Sequence, residues 1–139
     1  MIGTKKRVIL IGLKPEVVDY TNFPDLTPEK LMAALKADEA TLNSLGYDAQ
    51  LCLVDLGETA ATVVTQKLTE TAFDCVMIGA GVRTVPDKFL LFEKLINIVH
   101  QHAPAARFAS IRNRAIRLKL CSGGSHSKFD GNFYFVIIF

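Results

Sequence analysis

Cysteine is scarce in this sequence. The 139 residues contain three cysteines, an odd number, and Cys52 and Cys75 lie within apolar, strand-like runs. This pattern is typical of reduced core residues and not of a disulfide framework. It predicts a reducing compartment, and hence a cytoplasmic protein.

The sequence also lacks a hydrophobic run long enough to enter a membrane. The apolar run nearest the N-terminus, residues 8–13, ends at Lys14-Pro15. A membrane-spanning helix needs about 20 apolar residues, and a signal-peptide core needs about 7 to 15. We therefore expect neither a signal peptide nor a membrane anchor.

Basic residues are in excess only near the C-terminus. The net charge is +2, but residues 1–106 carry ten Lys or Arg against thirteen Asp or Glu, whereas residues 107–139 carry six against one. A basic patch with interleaved aromatic residues would indicate a nucleic-acid partner. The basic residues that cluster here are Arg112, Arg114, Arg117 and Lys119. No aromatic residues interleave with them, so we do not expect a nucleic-acid partner.

Apolar runs and amphipathic stretches alternate along most of the chain. Half of the residues are hydrophobic and 22% are charged, as in packed globular domains. The first helix has Thr27 as a candidate N-cap and Pro28 at its first position, and Gly46 ends it. The pattern predicts strands at 6–13, 50–56, 73–79 and 106–111, and helices at 30–45, 58–71 and 87–102.

Strands separated by helices of this length pair in parallel through right-handed crossovers. We therefore predict a three-layer α/β/α domain over residues 1–112, flavodoxin-like or Rossmann-like, with a parallel sheet in the strand order 2-1-3-4. Residues 113–139 form a C-terminal extension with two interpretations. They are either a terminal hairpin whose apolar last strand packs on the sheet, or a tail not native to the fold, such as the product of a reading-frame change near Ser110.

In an open parallel sheet, ligands bind beyond the carboxyl ends of the strands, where the strand order reverses. The loop after the first strand, residues 14–26, is long for such a connection and offers Asp19 and Tyr20 as ligand contacts. In the alternative interpretation, Asp19 caps a turn and Tyr20 folds over the sheet edge.

The loop after the third strand combines Gly79, Gly81 and Arg83. The glycines allow a ligand to approach the backbone, the guanidinium can hold an anion by two hydrogen bonds, and the next helix offers its first amides. This combination predicts a phosphate or carboxylate site. Alternatively, the glycines serve only the turn, and Arg83 pairs with Asp87 or Asp19.

Asp55 follows the second strand. In dinucleotide-binding folds an acid at this place holds a ribose hydroxyl, but those folds need G-x-G-x-x-G after the first strand, where this chain has Gly12-Leu13-Lys14-Pro15. Nicotinamide or FAD binding of that type is therefore disfavoured, and the sequence identifies no cofactor. Asp55 is either a ligand contact or a cap for the helix near Glu58.

The third helix, residues 87–102, is apolar over more than one face. Such a helix is either deeply buried or shared with a second subunit, so a homodimer through it is one interpretation. His100 and His102 lie two residues apart near its end, where the helix dipole favours cations. We predict no metal site.

Two segments resemble known enzyme families. Residues 74–104, a short strand and helix, resemble the third strand and helix of SGNH hydrolases. Gly12-Leu13-Lys14 stands where those enzymes have a G-D-S nucleophile, and Gly81-Val82 where they have asparagine and aspartate.

Residues 78–83 resemble the third-strand loop of flavodoxin-like proteins, including the flavodoxin-type protoporphyrinogen oxidases. The hydroxyl-rich phosphate loop that flavodoxins have after the first strand is missing. These resemblances imply a degenerate enzyme.

Over residues 6–109 the chain resembles an uncharacterised family of small bacterial and fungal α/β proteins with no assigned activity. The resemblance rests on a Pro-x-x-Val-Asp-Tyr motif at residues 15–20 and a Gly-Ala-Gly-Val-Arg motif at residues 79–83. It implies an α/β fold and no particular reaction.

These observations predict a small anionic ligand in the crevice at the carboxyl ends of strands 1 and 3. Arg83 would be the anion clamp, and Asp19 or Tyr20 would handle protons if the protein is an enzyme. The alternatives are a non-catalytic dimeric interaction module and a degenerate SGNH-like or flavodoxin-like enzyme.

Overall fold

The fold is built on a parallel sheet whose middle strands are apolar on both faces. The structure, a computed structural model, describes residues 5–21, 23–111 and 135–138. The strands follow the order β2-β1-β3-β4-β5, and the first four are parallel, so the predicted order 2-1-3-4 is confirmed. They are β1 Arg7–Leu13, β2 Asp48–Val54, β3 Cys75–Ile78, β4 Arg107–Ile111 and β5 Phe135–Ile138.

The helices lie on both faces of this sheet, which gives the predicted three-layer α/β architecture. Right-handed crossovers that run in opposite directions along a sheet place their helices on opposite faces. The helices are α1 Pro28–Ser44, α2 Ala60–Glu70, α3 Ala80–Arg83 and α4 Phe89–His102, with 3-10 turns at Pro15–Val17 and Pro86–Lys88.

Two cores result, one on each face of the sheet. In the larger core, Ile9 and Val76 of the sheet pack with Val64 of α2 and Leu95 of α4, all of them 0% exposed. In the smaller core, Leu42 of α1 packs with sheet residues Val8, Leu10, Ala49, Met77 and Ala109. Strand β1 is buried from its second residue to its last, as expected of a strand covered on both faces.

The start and end signals of the first helix are confirmed. The Thr27 hydroxyl accepts a hydrogen bond from the Lys30 amide, and Pro28 is the first helical residue. At the other end Gly46 adopts φ 93°, and the Tyr47 amide donates to the Leu42 carbonyl. This is the Schellman arrangement, in which glycine tolerates the left-handed conformation.

The structure corrects the prediction that residues 79–87 form only a loop. The Gly79 carbonyl accepts hydrogen bonds from the amides of Val82 and Arg83, which closes the short helix α3. Pro86 then begins a 3-10 turn, because its fixed φ suits a first helical position. The predicted third helix therefore begins at Phe89 and not at residue 87.

Both cysteines within the described strands are free thiols, but their burial differs. Cys52 is buried and Cys75 is half-buried, so the expectation that both are buried is confirmed only for Cys52. In the part of the chain that the structure describes, no helix combines the length and the apolar character needed to cross a membrane.

The C-terminal extension is described only at its last strand. Strand β5 pairs antiparallel with β4, and Phe108 lies opposite Ile138. The basic cluster at residues 112–119 and the rest of the extension before residue 135 lie outside the described residues.

Candidate functional site

The candidate site lies where the loops after β1 and β3 leave the sheet. Strands β1 and β3 are neighbours, and the chain runs from β1 to β2 on one side and from β3 to β4 on the other. The Gly79 amide donates to the Ile11 carbonyl at 2.8 Å, which fixes the start of the β3 loop against β1. This is the reversal point at which open α/β sheets bind ligands.

Asp19 caps a turn, as its alternative interpretation predicts. The side-chain Oδ1 of this exposed residue accepts hydrogen bonds from the Thr21 amide, at 2.9 Å, and from the Thr21 hydroxyl. These bonds hold the pKa of Asp19 below its ordinary value, and the nearby Lys88 ammonium lowers it further. Asp19 is therefore an anion at neutral pH, within the electrostatic reach of a cation from the β3 loop.

Tyr20 is tied into its own loop. Its hydroxyl donates to the Pro15 carbonyl at 2.7 Å. Burial raises the pKa of Tyr20, and the carboxylates of Glu29 and Glu16 raise it further. A neutral phenol whose proton is already donated to a carbonyl is a poor general base.

Asp55 is the cap of α2, so the capping interpretation is confirmed. Its carboxylate accepts hydrogen bonds from the amides of Gly57, Thr59 and Ala60 and from the Thr59 hydroxyl, at 2.7–3.2 Å. These bonds lower the pKa of Asp55 to about 2. Asp55 follows β2, which β1 separates from β3, so the sheet does not bring it beside Arg83.

The backbone conformations at positions 79 and 81 do not require glycine. Gly79 has φ −62°, and the positive φ angles among the described glycines belong to Gly46 and Gly57. A Cβ atom on Gly79 would meet the Ile11 carbonyl oxygen at an ordinary 3.5 Å. A Cβ atom on Gly81 would have no described atom within 4 Å, so the backbone there is open to a ligand.

Arg83 is anchored at the carboxyl end of β3. Its Nε donates to the Ile78 carbonyl at 3.1 Å, and the residue is half-buried. This contact holds the guanidinium near the carboxyl end of β3. Because α3 packs against β1 and against the turn Pro86–Lys88, Arg83 and Lys88 belong to one compact loop.

Lys88 is the residue of the site that the sequence interpretation missed. It is the N-cap of α4, and no side chain among the described residues caps that end of the helix. A helix N-terminus carries partial positive charge, so a lysine there adds to a field that attracts anions. The predicted start of this helix at residue 87 put Lys88 inside the helix, whereas the structure places it directly before the first helical residue.

One surface depression lies away from this site, on α1. It has a volume of about 510 Å³ and runs along the outer side of α1, lined by Pro28, Glu29, Met32, Ala33 and Lys36. It is wide open and built from one helix, unlike the enclosed pockets that hold small ligands. Among the described residues no group of three His, Cys, Asp or Glu side chains is placed to hold a metal ion.

No protein-family model, no curated protein and no solved structure matches this chain.

Proposed function

We propose that this protein binds a small anion, a phosphate or a carboxylate, in the crevice between the loops after β1 and β3. The observation that carries the proposal is the placement of two cations, Arg83 and Lys88, in one loop at the point where the strand order reverses. The N-terminus of the 14-residue helix α4 begins directly after Lys88 and adds to the same field.

Asp19 is the anion that a ligand would compete with. Its carboxylate lies near enough to Lys88 for the ammonium to lower its pKa, and Thr21 holds it in its turn. An incoming anion therefore gains the attraction of Lys88 and experiences the repulsion of Asp19. Replacing Asp19 by asparagine should strengthen anion binding, most clearly at low ionic strength.

The test is a thermal-shift and calorimetric titration of the full chain with inorganic phosphate, a nucleotide and a dicarboxylate. A charge-assisted hydrogen bond contributes about 1.5–3 kcal/mol, so Lys88→Ala and Arg83→Ala should each weaken binding by roughly 10- to 150-fold. Lys94→Ala removes the same charge from an exposed position on α4 and should leave binding unchanged.

Gly81 supplies a steric version of the same test. Gly81→Ala fits a helical position and should not lower the melting temperature, since alanine favours a helix by about 1 kcal/mol over glycine. Gly81→Val should block a ligand that approaches the open backbone of α3. If no anion stabilises the native protein, or if an anion acts equally on Lys88→Ala and Arg83→Ala, the proposed site is wrong.

A second candidate function is a dimeric interaction module that uses α4. The supporting observation is the exposure of two large apolar side chains at the start of this helix, Phe89 at 60% and Leu90 at 76%. Exposed apolar patches often mark contact surfaces. Light scattering after gel filtration should then show a dimer for the native chain and a monomer for Leu90→Glu. A native monomer at high concentration would exclude this function.

The free thiols of Cys52 and Cys75 support a cytoplasmic location for either function.

A further inference from the structure

Strand β2 forms one edge of the sheet. Its hydrogen bonds to β1 include those between the Asp48 amide and the Lys6 carbonyl and between the Val54 carbonyl and the Lys14 amide, both at 2.9 Å. Alternate residues of a strand direct their backbone groups to opposite sides. The outward groups of β2 therefore belong to Ala49, Leu51 and Leu53.

Side chains of α1 occupy the first two of these outward positions. The Asn43 Oδ1 accepts from the Ala49 amide at 2.8 Å, and the Asn43 Nδ2 donates to the Ala49 carbonyl at 3.4 Å. The Glu39 Oε2 accepts from the Leu51 amide at 2.7 Å. Asn43 thus contacts the edge as a neighbouring strand residue would, through one donor and one acceptor.

The spacing of the two side chains matches the strand. Glu39 and Asn43 are four residues apart, a rise of about 6 Å along a helix. Ala49 and Leu51 are two residues apart, about 6.6 Å along a strand. Because α1 runs antiparallel to β2, the next step of this series pairs residue 35 with residue 53.

At this third position, α1 offers no polar side chain to β2. Residue 35 is leucine, and the side chains of Leu35 and Leu53 both lie within 4 Å of the place where a Cβ on Gly12 would be. Leu35 is therefore turned over the sheet, and its side chain can neither donate to nor accept from Leu53. The polar contacts from α1 cover two of the three outward residues.

We propose that Glu39 and Asn43 block a strand-pairing edge on β2. The partner that fits this edge is a second copy of the same strand. An unprotected edge strand is a template for another strand, and proteins commonly block it with side chains. Here the block consists of backbone-mimicking contacts, so removing two side chains should open the edge without removing the strand.

The second copy fits because β2 is self-complementary in an antiparallel arrangement. If Leu51 lies on the two-fold axis, Ala49 of each chain faces Leu53 of the other, and Leu51 faces its own copy. All three outward residues then exchange amide and carbonyl hydrogen bonds. The facing residues are all apolar, so no like charges oppose each other across the pair.

The first experiment measures amide hydrogen exchange in the folded protein. The Leu51 amide should be protected although it lies on a sheet edge. Glu39→Ala should speed its exchange by about tenfold or more, since a hydrogen bond to a charged group is lost. Glu39→Gln keeps an acceptor and should restore most of the protection. Glu93→Ala removes the same charge from exposed α4 and should change nothing at Leu51.

The second experiment measures the mass of Glu39→Ala/Asn43→Ala by light scattering as a function of concentration. We expect a dimer in which the Leu53 amide gains protection, which places β2 at the interface. A folded, monomeric double variant would overturn the proposal. So would an unchanged Leu51 exchange rate in Glu39→Ala, a result that remains decisive if the double variant does not fold.

Discussion

At the scale of single residues, the carboxylates of this protein act mainly on nearby backbone amides. Asp55 accepts hydrogen bonds from three amides and one hydroxyl, and Asp19 accepts two from Thr21. Both pKa values are lowered by these bonds. The carboxylates are thereby kept ionised and oriented at the loops where they lie.

We predict that Asp55→Ala lowers the melting temperature by several degrees, because the first amides of α2 lose their acceptor. Asp55→Asn keeps one acceptor oxygen and should lose less. Glu58→Ala removes the same charge from the same end of α2, so it controls for the helix dipole. Equal melting temperatures for Asp55→Ala and Glu58→Ala would show that the hydrogen bonds contribute nothing beyond charge.

The low pKa of Asp55 also predicts a pH dependence of stability. The folded value of about 2 lies below the ordinary value of 3.8, so the unfolded chain binds this proton more readily. The stabilisation by Asp55 is therefore complete above the ordinary value and is lost as the pH falls towards about 2. Urea unfolding of the native chain and of Asp55→Asn should give stabilities that converge over this range. Curves that stay parallel from pH 5 to acid would contradict the assignment.

Sequence reasoning could find the capping role of Asp55, because a carboxylate between a strand and a helix start has a local explanation. It could not find the influence of Lys88 on the pKa of Asp19, because 69 positions of chain separate these residues and only the sheet order brings their loops together. The anchoring of Arg83 on Ile78 was hidden for another reason. The short helix α3 that turns the side chain back is too brief to leave a periodic pattern.

At the scale of elements, α4 combines a buried face with an exposed apolar start. Leu91, Leu95 and Val99 are buried at intervals of four residues, whereas Phe89 and Leu90 are exposed. The sequence showed an apolar helix but did not distinguish burial from a contact with a second subunit. Packing on α2 and the sheet accounts for one face only, and the exposed residues lie at the N-terminal end of the helix.

We predict opposite responses from two leucines of this helix. Leu95→Ala should destabilise the fold by about 2–5 kcal/mol, because the side chain is 0% exposed and its loss leaves a cavity. Leu90→Ala should change the free energy of unfolding by about 0.5 kcal/mol or less, because this side chain is 76% exposed. Urea unfolding monitored by circular dichroism measures both. A large loss for Leu90→Ala, growing with protein concentration, would indicate that a subunit contact stabilises the fold.

At the scale of the whole molecule, the parallel pairing of the strands could be predicted from the alternation of strands and helices with right-handed crossovers. The order 2-1-3-4 came with the expected flavodoxin-like class of fold. The inequality of the two helical layers could not be predicted. Among the described residues the larger core has fifteen buried members and the smaller core six, with Leu42 as the buried residue of α1. A layer that buries less apolar surface should separate from the sheet at a lower free energy.

The two thiols report on these two layers separately. Cys52 is buried in the larger core, and Cys75 is half-buried against the smaller core. Burial and the neighbouring Asp74 raise the pKa of Cys75 to about 12, so its thiolate is scarce in the folded state. Burial also raises the pKa of Cys52. Both thiols should therefore react mainly after an opening of the structure.

We predict that the opening which exposes Cys75 is smaller than the one which exposes Cys52. With Cys121→Ser as background, labelling by a thiol reagent in increasing urea should show a shallow dependence for Cys75, because only α1 separates. Cys52 should show the steep dependence of global unfolding, since its side chain lies beneath the layer formed by α2 and α4. Peptide mass spectrometry resolves the two rates. Equal urea dependences would mean that both layers unfold as one unit and that the smaller core is no weaker than the larger.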